Sequence, residues 1–211
     1  MNLSRYDTIL FDWDGCLAQT LDIWLSSYKK IFAEYDLHPS DREITSKVFS
    51  DWSGSMKLGI KDVHEFNEKL LKHVNLGLAG VELYDGAREI IKNLFSEGRR
   101  LTISTSSTKS NFMPVFKRHQ LEKYFSFILT SEDVKNHKPH PEIIDTTIRE
   151  LNSKKPKTII VGDSKSDLGA AQNAGIDSVL FYPENHKLFY DLEELKKYNP
   201  TYITSSFNDL L

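Results

Sequence analysis

Four short polar segments of this sequence each follow a hydrophobic run, and they hold the residues best suited to chemistry. They are Asp12-Trp13-Asp14, Thr105-Ser106, Lys138-Pro139 and the segment from Gly162 to Asp167, which includes Asp163. Carboxylates, hydroxyls and an ammonium group are what phosphoryl transfer needs, because oxygen ligands bind Mg²⁺ and cations stabilise the charge in transfer. We therefore predict phosphoryl-transfer chemistry if the fold brings the four segments together.

The charge of the substrate gives each of these side chains a role. A phosphomonoester near neutral pH repels an attacking carboxylate, and each like-charge pair at about 4 Å costs roughly 4 kcal/mol at an effective dielectric of about 20. Mg²⁺ and the ammonium of Lys138 would offset this repulsion, so Asp12 can act as a covalent nucleophile. Asp14 would protonate the leaving alkoxide and later take a proton from water. Hydroxyls at Thr105 and Ser106, with amides at a helix start, would hold the remaining phosphate oxygens.

The elements that must position these residues follow from the hydrophobic pattern. Short β-branched or aromatic runs alternate with segments of helical period, which is typical of a βαβ architecture with a parallel sheet. Strands are predicted at residues 8–11, 101–104, 125–129, 158–161, 178–181 and 202–203. Open α/β proteins bind ligands beyond the carboxyl ends of parallel strands, so all four polar segments are predicted to meet at that edge.

Helices are predicted to cover the sheet on both faces. One carries Ala87, Ile90, Ile91, Leu94 and Phe95 at helical spacing before Gly98. Two others begin near Pro141 and near Ser166, and the last of these ends at Gly175. The fold class is therefore predicted to be α/β, a Rossmann-like three-layer αβα core with a parallel sheet.

Residues 18–84 are predicted to form a helical insertion, since the first two strands lie much further apart than one crossover helix requires. Apolar stripes run from Trp24 to Tyr35 and from Val63 to Val74, and the spacing of Ser40 and Glu43 is that of a capping box. We predict a catalytic core formed by residues 1–17 and 85–211. Residues 18–84, called the insertion below, are predicted to be a small all-helical cap domain.

At these residues the sequence resembles the haloacid dehalogenase (HAD) superfamily, particularly its phosphatases with a helical cap between the first two motifs. The first motif, D-x-D-x-[TV], matches Asp12, Asp14 and Cys16; the second matches Thr105; the third, a Lys before Pro, matches Lys138; the fourth, G-D-S-x-x-D, matches Gly162 to Asp167. The motifs keep the family's order from Thr8 to roughly Phe181. The resemblance implies that the chain is a phosphoric monoester hydrolase.

Roles for individual residues also follow from the resemblance. It implies that Asp12 is the nucleophile, Asp14 the general acid and base, and Thr105 and Lys138 the catalytic phosphate binders. It further implies a strand order in which the first strand lies between the second and the fourth.

The resemblance implies a magnesium site as well. Its ligands would be Asp12, the main-chain oxygen of Asp14, and Asp163, while Asp167 would support the site from nearby. A strand order that places Asp12 beside Asp163 would bring two of these ligands together.

Two positions bear on competing functions. Cys16 departs from the Thr or Val that is usual in the family, and we predict that it packs in the interior rather than reacts. A phosphosugar mutase would share the core residues, but related mutases carry a His where this sequence has Trp24. Trp24 lies on an apolar stripe, so we predict that it belongs mainly to the hydrophobic core. A non-catalytic phosphate-sensing module is the other alternative, although receiver domains are shorter and carry their phosphorylated Asp after the third strand.

The composition of the chain limits the kinds of partner that we expect it to bind. Its 211 residues include 27 Lys and Arg against 30 Asp and Glu, a formal net charge of -3, and the basic residues are scattered. We therefore expect no nucleic-acid partner, and no apolar run approaches the ~18 residues that would span a membrane. One cysteine and no signal-peptide pattern lead us to expect a cytoplasmic protein. The expected partner is a small phosphorylated metabolite, and the oligomeric state stays open.

Overall fold

The computed structural model describes residues 3–49 and 51–210, and a parallel sheet forms its centre. The strands are β1 (Thr8–Phe11), β2 (Arg100–Ser104), β3 (Phe125–Leu129), β4 (Thr158–Gly162), β5 (Asp177–Phe181) and β6 (Tyr202–Thr204). Their order is β3-β2-β1-β4-β5-β6, and every neighbouring pair is parallel. Each predicted strand is confirmed to within one residue at either end, and β1 does lie between β2 and β4.

Eight α-helices accompany the sheet in the described part of the chain. They are α1 (Leu21–Glu34), α2 (Asp41–Lys47), α3 (Val63–Gly77), α4 (Ala87–Ser96), α5 (Lys109–Arg118), α6 (Glu142–Glu150), α7 (Lys165–Ala174) and α8 (Leu192–Lys196). The three predicted core helices are confirmed as α4, α6 and α7. Phe95 lies on the exposed side of α4 rather than in its buried stripe, and it packs edge-on against Tyr124.

Successive side chains of the central strands point to opposite faces of the sheet, and helices pack on each face to give three layers. Ile9 and Phe11 of β1 point into one apolar cluster with α4 and α5, whereas Leu10 points into a second cluster with α6 and α7. Both β1 and β4 are buried along their whole length, as expected for parallel strands that helices cover on two faces. The predicted αβα core is therefore confirmed.

The three helices α1 to α3 lie within the range predicted for the insertion. The insertion leaves and rejoins the core at one point, where Gln19 N donates to Glu82 O at 2.9 Å and Tyr84 N donates to Leu17 O at 3.0 Å. Inside it, the rings of Phe32 and Phe66 pack with their centroids 4.7 Å apart. That these residues form a separate cap domain stays a prediction.

The ends of the strands define the edge where the polar segments meet. Phe11 is level with Ile103 on β2 and with Val161 on β4, and Asp12 N continues the pairing by donating to Val161 O at 2.9 Å. The residues that follow β1, β2 and β4 therefore lie side by side. No helix among the described residues has both the length and the apolar character needed to cross a bilayer.

The capping box of α2 provides a test of the local structure. Ser40 accepts a hydrogen bond from Glu43 N, and the Glu43 side chain accepts one from Ser40 N, as the sequence predicts. We expect Ser40→Ala to lower the free energy of unfolding by about 1 kcal/mol, because it leaves amide donors at the helix start without a partner. Urea denaturation would measure this loss. Ser46→Ala, at an exposed position within α2, is the control, and an equal loss in both variants would contradict the cap.

Candidate active site

Lys138 connects two of the predicted site residues in the interior. Its Nζ donates to Asp12 Oδ1 and to Asp167 Oδ1, both at 2.6 Å, and to the main-chain oxygen of Ser104 at 2.9 Å. The three ammonium protons are thus all used, and the three ionic side chains are buried. The arrangement fixes Asp12 at the end of β1.

Asp163 completes the cluster from the end of β4. One carboxylate oxygen each of Asp12, Asp163 and Asp167 lie within 4.8 Å of one another. Gly15 makes this approach possible, because a Cβ atom there would come within 2.4 Å of Asp163 Oδ2, and its φ of +77° is one that L side chains rarely adopt. Asp163 Oδ2 is buried and has no hydrogen-bond partner among the described residues.

The electrostatics of the cluster favour a cation. Burial and the Asp167 carboxylate raise the pKa of Asp12 to about 8, although Lys138 opposes the shift. Burial and then Asp12 raise the pKa of Asp163 well above its usual range. Burial disfavours the charged form of Lys138, but Asp12 and Asp167 outweigh it and raise the pKa of the ammonium. Three carboxylates thus face one ammonium.

The donor set fits Mg²⁺, because it consists of hard oxygen atoms and includes one carboxylate oxygen that has no hydrogen-bond partner in the described part of the chain. Asp167 is already engaged: Oδ1 binds Lys138, and Oδ2 accepts from Ser164 N at 3.2 Å and from Ser164 Oγ at 2.6 Å. Among these carboxylates, that leaves Asp12 and Asp163 better placed as ligands.

The Asp14 side chain is held by hydrogen bonds of its own and does not belong to the cluster of Asp12, Asp163 and Asp167. Its Oδ1 accepts a hydrogen bond from Trp24 Nε1 at 2.9 Å, and its Oδ2 accepts one from Ser107 Oγ at 2.7 Å. Thr105 Oγ1 also donates to Oδ2, at 3.5 Å. Trp24 is buried as its apolar stripe predicts, and it additionally holds a predicted site residue in place.

The structure brings the remaining predicted residues to the same edge of the sheet. Ser106 lines the cavity beside the cluster, whereas Thr105 is buried behind it and reaches Asp14. Cys16 is buried with its Sγ donating to Val161 O at 3.5 Å. Burial raises the pKa of the Cys16 thiol well above its usual value, which disfavours the reactive thiolate.

A cavity of about 100 Å³ lies over these side chains. The core contributes its polar floor: Asp12, Asp14, Ser106, Ser107, Lys138, Asp163, Ser164 and Ser166. The insertion contributes Leu21, Trp24, Tyr28, Val48, Phe49, Asp51 and Trp52, and Tyr190 closes one side. The arrangement can hold a phosphate group on the floor and the rest of a small molecule against the apolar wall.

Several lining residues were not predicted from the sequence, and Ser107, Asp51 and Tyr190 are among those that carry polar groups at the cavity. Ser107 continues the hydroxyl run that begins at Thr105, so its position in the sequence could have indicated it. Asp51 and Tyr190 lie in segments without helical or strand periodicity, and no local signal identifies them. Only the packing of the insertion and of the segment after β5 brings them to the cavity.

Comparison with known proteins agrees with this geometry. The chain matches the family model of the haloacid dehalogenase-like hydrolases over residues 9–181. It is 30% identical over 211 residues to a pyrophosphatase PpaX of Halalkalibacterium halodurans, covering 97% of this chain and 95% of the relative. A phosphorylated carbohydrates phosphatase of Thermotoga maritima is 27% identical over 82% of this chain and 83% of its own length. A haloacid dehalogenase-like family protein of Streptococcus pneumoniae shares the fold, with a TM-score of 0.81 and 21% identity over 98% of this chain and 97% of its own.

Gly15 allows a direct test of the site's geometry. We expect Gly15→Ala to lower phosphatase turnover on the order of 10²-fold, because the new Cβ would displace the Asp163 carboxylate. Release of phosphate from p-nitrophenyl phosphate is the measurement. Gly98→Ala is a matched control, since Gly98 has a similar φ of +76° but, apart from its chain neighbours, no described residue has an atom within 4 Å of its added Cβ. Equal activity in the two variants would show that the contact with Asp163 is unimportant.

Proposed function

The chain belongs to the haloacid dehalogenase-like hydrolases, and from that premise we propose that it is a Mg²⁺-dependent phosphatase of small phosphomonoesters. The reaction would pass through an aspartyl phosphate on Asp12. One observation carries the proposal: Asp12, Lys138 and Asp163 converge in one buried cluster at the floor of a small cavity. The phosphatase and pyrophosphatase names of the relatives support the same reaction class.

Asp12 would attack the phosphorus atom of the bound ester. The bond between phosphorus and the leaving oxygen breaks, and Asp14 gives that oxygen a proton, so the alcohol leaves uncharged. A water molecule then attacks the aspartyl phosphate and loses a proton to Asp14, which releases inorganic phosphate and restores Asp12. The hydrogen bonds of Asp14 to Trp24 and Ser107 support this role, because they hold its carboxyl group at the cavity.

Lys138 orients Asp12 and offsets part of its charge, since it donates to both Asp12 and Asp167. Mg²⁺, when bound by Asp12, Asp163 and the main-chain oxygen of Asp14, would neutralise the repulsion between nucleophile and phosphate. Asp167 would hold Lys138 in place rather than bind the metal. Thr105 and Ser106 are proposed to contact the phosphate oxygens, directly or through the loop that they share.

The insertion is proposed to act as a lid over this chemistry. It supplies the apolar wall of the cavity, and a lid there would exclude water while Asp12 attacks. Such a closed space favours a small metabolite over a phosphorylated protein. Trp24 also argues against the mutase alternative, because an indole N–H only donates and cannot exchange protons with a substrate hydroxyl as His can.

The nucleophile can be tested by one substitution. We expect Asp12→Asn to lower kcat on p-nitrophenyl phosphate at least about 10²-fold, because the amide cannot form the phosphoryl intermediate. Asp7→Asn makes the same change at the opposite, amino-terminal end of β1 and serves as the control. Thermal unfolding of both variants would confirm that the fold survives. If the Asp12 variant kept more than a few per cent of the wild-type rate, Asp12 could not be the nucleophile.

Metal removal tests the second part of the proposal. We expect exhaustive chelation to abolish turnover and Mg²⁺ to restore it, because the site otherwise holds an excess of carboxylates. Asp163→Ala should weaken Mg²⁺ binding measured by titration calorimetry. Full activity after chelation would exclude a metal-dependent reaction.

A further inference from the structure

The cavity holds little positive charge for a substrate with a second acidic group. Among the described residues that line it, Lys138 is the one cationic side chain. Its three donors are taken by Asp12, Asp167 and the main-chain oxygen of Ser104. Under the proposed function, that ammonium orients the nucleophile Asp12 and offsets part of its charge. No lining cation is therefore left for a carboxylate or phosphate on the leaving group.

The insertion places a carboxylate, Asp51, on the cavity wall instead. Ser53 donates to its Oδ1 from N at 3.0 Å and from Oγ at 2.6 Å, and Lys57 Nζ donates to its Oδ2 at 2.8 Å. These bonds, first that of Lys57 and then those of Ser53, lower the pKa of Asp51 to about 2. The group is thus ionised at neutral pH.

The partner of Asp51 can be displaced. Lys57 lies outside the cavity lining, and its side chain is 60% exposed. Exposed ion pairs of this kind contribute little stability, since water screens them and the long side chain loses freedom. A cation brought into the cavity by a ligand can therefore compete with Lys57 for Asp51.

Aromatic rings surround the same part of the cavity. Trp24 and Trp52 pack with their ring centroids 5.9 Å apart, and Tyr28 and Phe49 pack at the same distance. The faces of aromatic rings attract cations, including quaternary ammonium groups, most strongly where water is excluded. An anionic group would lose hydration against these rings and, apart from Lys138, would meet no cationic side chain among the described lining residues.

We infer that the cavity selects phosphomonoesters whose leaving alcohol carries a positive charge, such as amino alcohols and quaternary ammonium alcohols, with Asp51 as the residue that recognises the charge. The inference rests on the proposed phosphatase function and names its substrate class. It also separates this chain from relatives named for pyrophosphate, whose leaving group is an anion that Asp51 would repel.

Two isosteric substrates test the inference. Phosphocholine and 3,3-dimethylbutyl phosphate have the same shape, and only the former carries a positive charge. We expect kcat/KM of the wild-type protein with Mg²⁺ to favour phosphocholine by about tenfold or more, equivalent to about 1.4 kcal/mol. Pyrophosphate should be a poorer substrate than either of them. Phosphate release measures all three.

Substitutions then assign the preference to Asp51. Asp51→Asn keeps the shape and removes the charge, so the ratio between the two isosteres should fall to near unity. Glu68→Gln removes the same charge from an exposed position on α3 and should leave the ratio unchanged. Lys57→Gln removes the competing ammonium and should raise the ratio, which keeps the test informative even if the Asp51 variant does not fold.

The outcomes separate this inference from the proposed function. If p-nitrophenyl phosphate is hydrolysed but phosphocholine is no better than its uncharged isostere, or pyrophosphate is the best substrate, the inference fails and the phosphatase stands. A preference for phosphocholine that survives in Asp51→Asn would also overturn it. Absence of turnover with every phosphomonoester would instead overturn the proposed function.

Discussion

Burying Asp12, Asp163, Asp167 and Lys138 at one edge of the sheet removes four ionisable groups from water, and charging them there costs substantial free energy. Close hydrogen bonds offset part of that cost, since Lys138 has three acceptors and Asp167 binds both Lys138 and Ser164. The remaining excess of negative charge is what makes the edge suited to a divalent cation and then to a phosphate. Stability alone would favour an apolar cluster here, so function accounts for the charges better than stability does.

The order of the strands is what brings these ionisable groups together at one edge of the sheet. Because β1 lies between β2 and β4, the residue after β1 has a hydroxyl-bearing loop on one side and Asp163 on the other. Gly15 then lets the loop after Asp12 turn back without colliding with Asp163. A crossover order with β1 at an edge would leave Asp12 with a neighbour on one side only.

The sequence predicted the strands and their polar ends because those signals are local, whereas the strand order followed from the family resemblance. Hydrophobic runs define each strand, and the polar residue that ends a run must lie at the carboxyl edge. Local sequence patterns did not predict the features that depend on packing between distant segments of the chain. Helix α5 was not predicted, because it begins with polar residues and contains Pro114. Asp51 lines the cavity only because the insertion folds over it. Phe95 shows the converse, since helical spacing places it near the buried stripe but its side chain stays exposed and packs against Tyr124.

Trp24 meets a packing requirement and a hydrogen-bonding requirement at the same time. Its apolar stripe correctly indicates burial, yet a buried indole N–H needs an acceptor, and the one that it finds is Asp14. The donor belongs to the insertion, whereas the acceptor belongs to the loop after β1. If the insertion opens as a lid, Asp14 loses this donor and keeps, among the described residues, the hydroxyls of Ser107 and Thr105. Asp14, the proposed proton-transfer group, would then be fully held only over a closed cavity, which would link its orientation to the exclusion of water.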